Sequence, residues 1–246
     1  MAQPKPVLLM TRPRAASERF AADLPEPLRK NLEVVIAPLA EIVPCVDHVD
    51  LAAGESVIFT SSNAVATARL LGANGGRPAF SVGRATTEAA HAAGWQAVFV
   101  GETADDLVRK LSVQKPDRPL MHLRGVHARG NIAARLREVG WEMHEQAIYD
   151  QVLQPLSPEG QQAIEGQAPV IAPLFSPRMA RHFARLTSTA GTIHVAAMSP
   201  AVAAELMDKG FASVIVSERP DARNMVRSIE TCVQRLSRVE RNRGAQ

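Results

Sequence analysis

The sequence predicts an α/β protein built from two similar domains, each a parallel sheet flanked by helices. Three observations predict this: the chain length, the make-up of its apolar residues, and an internal repeat. At 246 residues the chain exceeds one ordinary domain and suits two of about 120. Hydrophobic residues make up 46% but aromatics only 4%. The apolar mass is therefore Val, Ile, Leu and Ala, which suits short buried parallel strands under Ala-rich helices.

The repeat orders the elements. Val57-Ile58-Phe59-Thr60-Ser61 begins one copy, and Val170-Ile171 running on to Leu174-Phe175-Ser176 begins the other. Each is an apolar strand ending in a hydroxyl residue, followed by a helical stretch at Ala64–Leu71 or Arg178–Leu186. Second strands end at Ser81-Val82-Gly83-Arg84-Ala85-Thr86 and at Ala196-Ala197-Met198-Ser199-Pro200-Ala201-Val202. The helices after them close at Gly94 and Gly210, each 11 residues beyond Gly83 and Ser199, where a C-cap glycine belongs. Third strands, Ala97–Val100 and Ser213–Val216, lead to polar helix starts at Thr103-Ala104-Asp105-Asp106 and Pro220–Asn224. Two shorter strand–helix–strand units also match: Val7–Arg12 to Glu33–Pro38, and Pro119–Gly125 to Met143–Tyr149.

The order is thus short, long, short, long. Two partitions satisfy it: sequential domains divided near residue 115, or a continuous middle domain with a second one split in sequence. The stretches 38–44 and 149–158 read as two crossing linkers, which favours the split version, and spacing alone does not choose. Strands alternating with helices imply parallel sheets with right-handed crossovers. Ligands of such sheets bind beyond the carboxyl ends of the strands. There the sequence places Thr11-Arg12, Thr60-Ser61-Ser62-Asn63, Gly83-Arg84, Arg124-Gly125, Ser176-Pro177 and Met198-Ser199. Hydroxyls, glycines, arginines and helix N-termini predict a cleft for carboxylate or phosphate.

Charge and cysteines exclude other classes. The net charge of +3 comes from the tail, where Arg235, Arg238, Arg241 and Arg243 face one acid; the remainder is neutral. That tail reads as a solvated helix end, and without an aromatic stacking platform nucleic acid is not expected as a partner. The start does not read as a signal peptide, and no apolar run approaches the roughly 20 residues of a membrane helix. Cys45 and Cys232 lie far apart with no metal spacing, as suits a reducing cytosol. His122 and His127 are five apart and lack the third ligand of a zinc site. Asp105 and Asp106 read as a helix start. The phosphate fingerprints G-x-G-x-x-G and Walker A are missing, against a nucleotide-binding enzyme.

These residues together resemble the uroporphyrinogen-III synthase family. The resemblance is carried in order by Thr11-Arg12-Pro13, Ile58–Val65, Val82–Thr86, Leu123-Arg124-Gly125 with Arg129, Ala147-Ile148-Tyr149 and Phe175-Ser176-Pro177. Each motif is short, so the series carries the specificity. The resemblance implies two α/β domains joined by two linkers with the ligand cleft between them: residues 1–39 with 152–246, and 42–150. It implies dehydrative cyclisation of hydroxymethylbilane, a linear tetrapyrrole with eight carboxylates, with inversion of ring D. Loss of the terminal hydroxyl gives an azafulvene, attacked by the far pyrrole to form a spiro intermediate that fragments and recloses. The substrate also closes spontaneously to the type I isomer, so the enzyme acts mainly by orientation. The resemblance implies no metal or organic cofactor. Two thin linkers and a polar cleft predict closure of the two domains on the ligand; the cysteine usage suits the cytoplasm, and a monomer is the default. The resemblance leaves open a transient contact with hydroxymethylbilane synthase.

Within this reading Tyr149, the only tyrosine, is the expected catalytic residue, a proton donor to the departing hydroxyl. Its alternative is an ordinary strand-end residue with its hydroxyl in water. Thr11, Arg12, Ser61, Ser62, Asn63, Gly83, Arg84, Thr86, Arg124, Gly125, Arg129, Ser176, Pro177, Ser199 and Pro200 are the expected substrate-binding residues. The hydroxyl residues among them are equally suited to capping helices. One position departs from the family: Ser199-Pro200-Ala201-Val202 stands where Gly-Pro-x-Thr is common, so Val202 faces Thr86 across the repeat. A non-enzymatic tetrapyrrole or anion sensor of the same fold is the competing reading, and most side-chain chemistry is expected around Thr60–Asn63, Thr86 and Tyr149.

Overall fold

Short apolar runs punctuated by glycine and hydroxyl residues fold into two separate sheets. The structure is a computed structural model and describes residues 4–73, 75–113, 118–128, 130–187 and 191–244, with side chains to 238. The chain divides into two compact units: unit 1 runs to Glu41 and resumes at Leu153, and unit 2 is Ile42–Val152.

Unit 1 contains β1 (Val7–Met10), α1 (Arg14–Ala22), α2 (Glu26–Lys30) and β2 (Glu33–Ile36) from the start of the chain. From its end come α7 (Pro158–Glu165), β9 (Val170–Leu174), α8 (Pro177–Leu186), β10 (Ile193–Ala197), α9 (Pro200–Ala204), β11 (Ser213–Val216) and α10 (Ala222–Gly244). The sheet order is β11-β10-β9-β1-β2, parallel in every register. Unit 2 contains β4 (Ser56–Phe59), α3 (Ser62–Leu70), β5 (Pro78–Val82), α4 (Arg84–Ala92), β6 (Gln96–Gly101) and α5 (Ala104–Val113). It continues with β7 (Leu120–Gly125), α6 (Ile132–Glu138) and β8 (Met143–Leu153). With β3 (Ala40–Pro44) its order is β3-β8-β7-β4-β5-β6. Reading β6-β5-β4-β7-β8 against β11-β10-β9-β1-β2 matches every strand of one repeat to its mate in the other.

Both faces of each sheet are covered, as parallel sheets require. In β1, Val7 and Leu9 enter one core with Ala163, Met179 and Phe183. Leu8 and Met10 enter the other with Phe20, Met225 and Ile229. In β4, Val57 and Phe59 pack with Val65, Ala68 and Trp95, and Ile58 packs with Leu107, Leu111 and Leu136. Truncating a fully buried Leu of such a strand to Ala would cost about 2–5 kcal/mol.

Two expectations change. The stretches read as linkers are largely strand: β3 covers 40–44, and β8 continues past Tyr149 to Leu153. Cys45 N–H donates to Ile148 and Gln154 N–H to Leu39 (3.1 and 2.9 Å), so the two segments run antiparallel. Unpaired, their backbone groups would forfeit these bonds. The second change concerns the helix after Ser199. It spans only Pro200–Ala204, where its mate α4 runs nine residues. The chain then reaches Gly210 (φ 74°) through 3₁₀-type bonds, Leu206 to Ala203 and Lys209 to Leu206, and a left-handed Asp208 (φ 58°).

Candidate functional site

In unit 2 the chain leaves β4 toward β5 and β6 on one side and returns to β7 and β8 on the other. The switch of direction therefore falls between β4 and β7, where open α/β sheets bind ligands. Thr60 and Ser61 follow β4 and Gly125 ends β7 at this point. Ser61 is extended (φ −155°) and caps α3, its hydroxyl accepting the Asn63 N–H at 3.1 Å. Ser62 and Asn63 form the first turn of that helix.

Tyr149 is brought to the same place by an irregularity in the ladder. Arg124 pairs with Ala147, but Gly125 pairs with Tyr149, so Ile148 is skipped. The tyrosine ring then lies directly over Gly125. A Cβ there would stand 2.7 Å from the ring Cζ, 2.8 Å from Cε2 and 3.0 Å from the phenol oxygen. Only glycine fits beneath the ring, and Val126 N–H fixes the strand from the other side by donating to the Tyr149 carbonyl at 2.9 Å. Tyr149 is 5% exposed, its ring packed into the core of unit 2. Burial raises its pKa, and a hydrogen bond with Ser61 opposes part of that rise. The phenol therefore remains a proton donor throughout neutral pH.

A second polar group underlies the site. His122 Nε2 lies 3.3 Å from Thr60 Oγ1. Burial pushes His122 down to about 4, the Glu145 carboxylate pulling the other way and Arg124 adding to the fall. It is neutral at pH 7. Arg124 donates to Glu145 at 2.8 Å and to the carbonyls of Gly125 and Val126 at 3.1 and 3.4 Å. That hydrogen bond holds the Glu145 carboxyl below its ordinary range. Arg124 thus arrives at the site already paired. Glu145 and His122 were not singled out by the sequence as parts of this site. The signal for the former was available: His and Arg two apart on a buried central strand require a partner on the neighbouring strand.

The other residues of unit 2 sit along the same strand ends. Gly83 (φ 80°) is the N-cap of α4, and its carbonyl accepts the Thr87 hydroxyl at 3.1 Å. Thr86 is buried in the first turn of that helix. Arg84 is mostly exposed, 3.8 Å from Glu102 and 5.1 Å above the Phe99 ring. Arg129 lies outside the described residues. Asp106 closes a capping box with Thr103 at the start of α5: Thr103 N–H donates to Asp106 and Asp106 N–H to the Thr103 hydroxyl, both 3.1 Å.

In unit 1 the equivalent switch lies between β1 and β9. Thr11 is buried there, and Arg12 Cζ stands 4.3 Å from the Phe175 ring centroid. Burial, then the neighbouring positive charge of Arg19, lowers Arg12 to about 10. The Arg12 carbonyl accepts the Ser17 hydroxyl at 2.8 Å. Ser176 caps α8 by accepting Met179 N–H at 3.3 Å, with Pro177 at the first helical position. Ser199 caps α9 without a side-chain bond, and Pro200 follows it. Val202, the mate of Thr86, belongs to the unit 1 core at 1% exposure. The missing hydroxyl is therefore replaced by core packing. Among the described residues no group of three His, Cys, Asp or Glu side chains is placed to hold a metal.

Comparison with known proteins adds the following. The family model described as uroporphyrinogen-III synthase HemD matches residues 23–227. Among solved structures, the uroporphyrinogen-III synthetase of Helicobacter pylori is similar at a TM-score of 0.65 and 14% identity, over 93% of this chain and all of that one. This likeness concerns the fold. The uroporphyrinogen III synthase of Thermus thermophilus aligns with 95% of this chain and all of its own at 14% identity, with a TM-score of 0.41. No curated protein matches the chain by sequence.

Proposed function

The chain belongs to the uroporphyrinogen-III synthase family, and from that premise we propose that Tyr149 is the proton donor of a dehydrative ring closure. The substrate is hydroxymethylbilane, and the product is uroporphyrinogen III with ring D inverted. The Tyr149 phenol hydrogen-bonds the terminal hydroxyl, which leaves with that proton as water as the C–O bond breaks. The azafulvene so formed is attacked by the far pyrrole at its substituted carbon. The spiro intermediate fragments and recloses in the inverted sense, and the proton lost on aromatisation balances the one donated.

A phenol with a reference pKa near ~10 is a weak acid, so proton donation supplies the smaller part of the rate. Holding the bilane in one folded shape supplies the larger part. Ser61, Ser62, Asn63, Gly83, Arg84, Thr86, Arg124, Gly125 and Arg129 of unit 2 would share that task with Thr11, Arg12, Ser176, Pro177, Ser199 and Pro200 of unit 1. Arg124 acts mainly through the loop carbonyls it binds. The carrying observation is the buried phenol seated on Gly125 beside the N-cap of α3. No helix among the described residues is long and apolar enough to cross a membrane. We place the enzyme in the cytoplasm as a monomer, with transient contact to hydroxymethylbilane synthase shortening the exposure of a substrate that cyclises unaided.

The test is the isomer formed from hydroxymethylbilane generated in situ. The wild-type protein should give the type III isomer; type I alone, at the spontaneous rate, would refute the reading. Tyr149→Phe should retain the type III product with kcat lower by about 10²-fold or less, the low end for general acid catalysis.

A further inference from the structure

Each unit places an arginine at the carboxyl end of a central strand, Arg12 just beyond β1 and Arg124 within the last two residues of β7, and register makes the two equivalent. In β7, His122 faces Glu145 and Arg124 follows two residues on. In β1, Met10 faces Ile36 and Arg12 follows two residues on. The other neighbours agree. The β4–β7 register, carried forward, sets Arg124 beside Thr60, just before the N-cap Ser61. The β1–β9 register, carried forward, sets Arg12 beside Phe175, just before the N-cap Ser176.

Their surroundings differ by one residue. Glu145 neutralises Arg124 at 2.8 Å, whereas Ile36 holds the Glu145 position in unit 1. Among the described residues no carboxylate pairs with the Arg12 guanidinium. It is instead stacked at 4.3 Å on Phe175. That ring is braced edge-on by Phe20, with centroids 5.3 Å apart and planes at 82°. The ionic neighbour that acts on Arg12 is Arg19, a like charge. A partly buried cation without a counter-ion destabilises the fold that carries it. A guanidinium held over a ring face can still offer its fork to a carboxylate, which it matches with two parallel hydrogen bonds.

We infer that Arg12 is the carboxylate receptor of unit 1, a cation whose counter-ion is supplied by an acidic arm of the bound tetrapyrrole. This rests on the synthase reading. It also moves the leading charged contact to unit 1, away from the lobe where the sequence placed most side-chain chemistry. Arg84 is solvated beside Glu102 and Arg124 is paired internally, so neither offers an equivalent fork.

Arg12→Met keeps the apolar stem on Phe175 and removes the charge. Ile36→Glu copies the unit 2 arrangement and supplies an internal counter-ion. For both variants, Tm of the free protein should equal or exceed wild type. KM for hydroxymethylbilane should rise roughly 10- to 100-fold, the range expected for charge-assisted hydrogen bonds, while type III product is still formed. Arg124→Met, which strands Glu145, should instead lower Tm. A wild type that yields only the type I isomer overturns the synthase reading itself. A wild type that yields type III, with KM of Arg12→Met or Ile36→Glu within two-fold, overturns the inference alone. A lowered Tm with unchanged KM would make Arg12 a structural residue.

Discussion

Replacing Gly125 by alanine tests whether the placement of the Tyr149 ring matters to the reaction. The new Cβ would stand 2.7 Å from Cζ and 2.8 Å from Cε2, where carbon atoms prefer about 3.5–4.0 Å. The ring must therefore move by roughly 1 Å, because the other partner is strand backbone. Gly125 has no positive φ, so alanine imposes no backbone strain and the whole effect passes through the ring. Overpacking of this kind costs about 1–3 kcal/mol of stability. A displacement of about 1 Å at a reacting group costs on the order of 10²-fold in rate. Stopped assays of hydroxymethylbilane consumption with isomer analysis, beside thermal unfolding, measure both. Gly125→Ala should lose about as much kcat as Tyr149→Phe, and adding it to Tyr149→Phe should cost little more. Loss of Tm with kcat within two-fold of wild type would refute the reasoning, since the ring would then move without consequence.

Three further outcomes follow from the titratable groups. The raised Tyr149 pKa keeps the phenol protonated, so kcat should stay level up to a pH of about 10; an alkaline fall centred well below that would exclude the phenol as donor. His122, lowered to about 4 from 6.5, favours the fold while neutral. Its contribution is complete above pH ~6.5 and is lost as pH falls toward 4, by about 3 kcal/mol in all. His122→Met, which borrows the residue of its mate Met10, should flatten the fall of Tm across that window. Burial pushes the Cys232 thiol to about 12 while Cys45 is exposed. A disulfide reagent at neutral pH should therefore label one thiol quickly and the second only on unfolding, and two fast equivalents would contradict the packing around Cys232.

The repeat was legible because hydrophobic runs, hydroxyl strand ends and glycine positions are local signals, and they recur at matched spacing. The capping roles of Ser61 and Ser176 were legible for the same reason. Pairing was not. Nothing local told that 40–44 and 149–153 bind one another, since their partners lie more than a hundred residues apart. The fate of Arg124 depends on Glu145 in the next strand, and that of Arg12 on Ile36, so two similar motifs diverge through register alone. The Thr86–Val202 mismatch was visible, but its meaning was not until Val202 appeared inside a core. The seat of Tyr149 on Gly125 depends on a skipped residue in the ladder, which no residue preference foretells.

The strand order of unit 1 has a consequence for how the chain is made. β1 and β2 leave the ribosome before the other strands of unit 1, yet the strand that flanks β1 on its other side, β9, begins at Val170. Leu8, Leu9 and Met10, each fully buried in the finished sheet, must wait while the whole of unit 2 is translated. At about 5–20 residues per second that wait lasts many seconds. Unit 2, continuous in sequence, has every strand it needs by Leu153 and can complete its sheet in that interval. The nascent protein therefore carries a finished domain together with an apolar β1–β2 pair whose β9 edge is still open, a form exposed to chaperone capture and to misassembly with its neighbours.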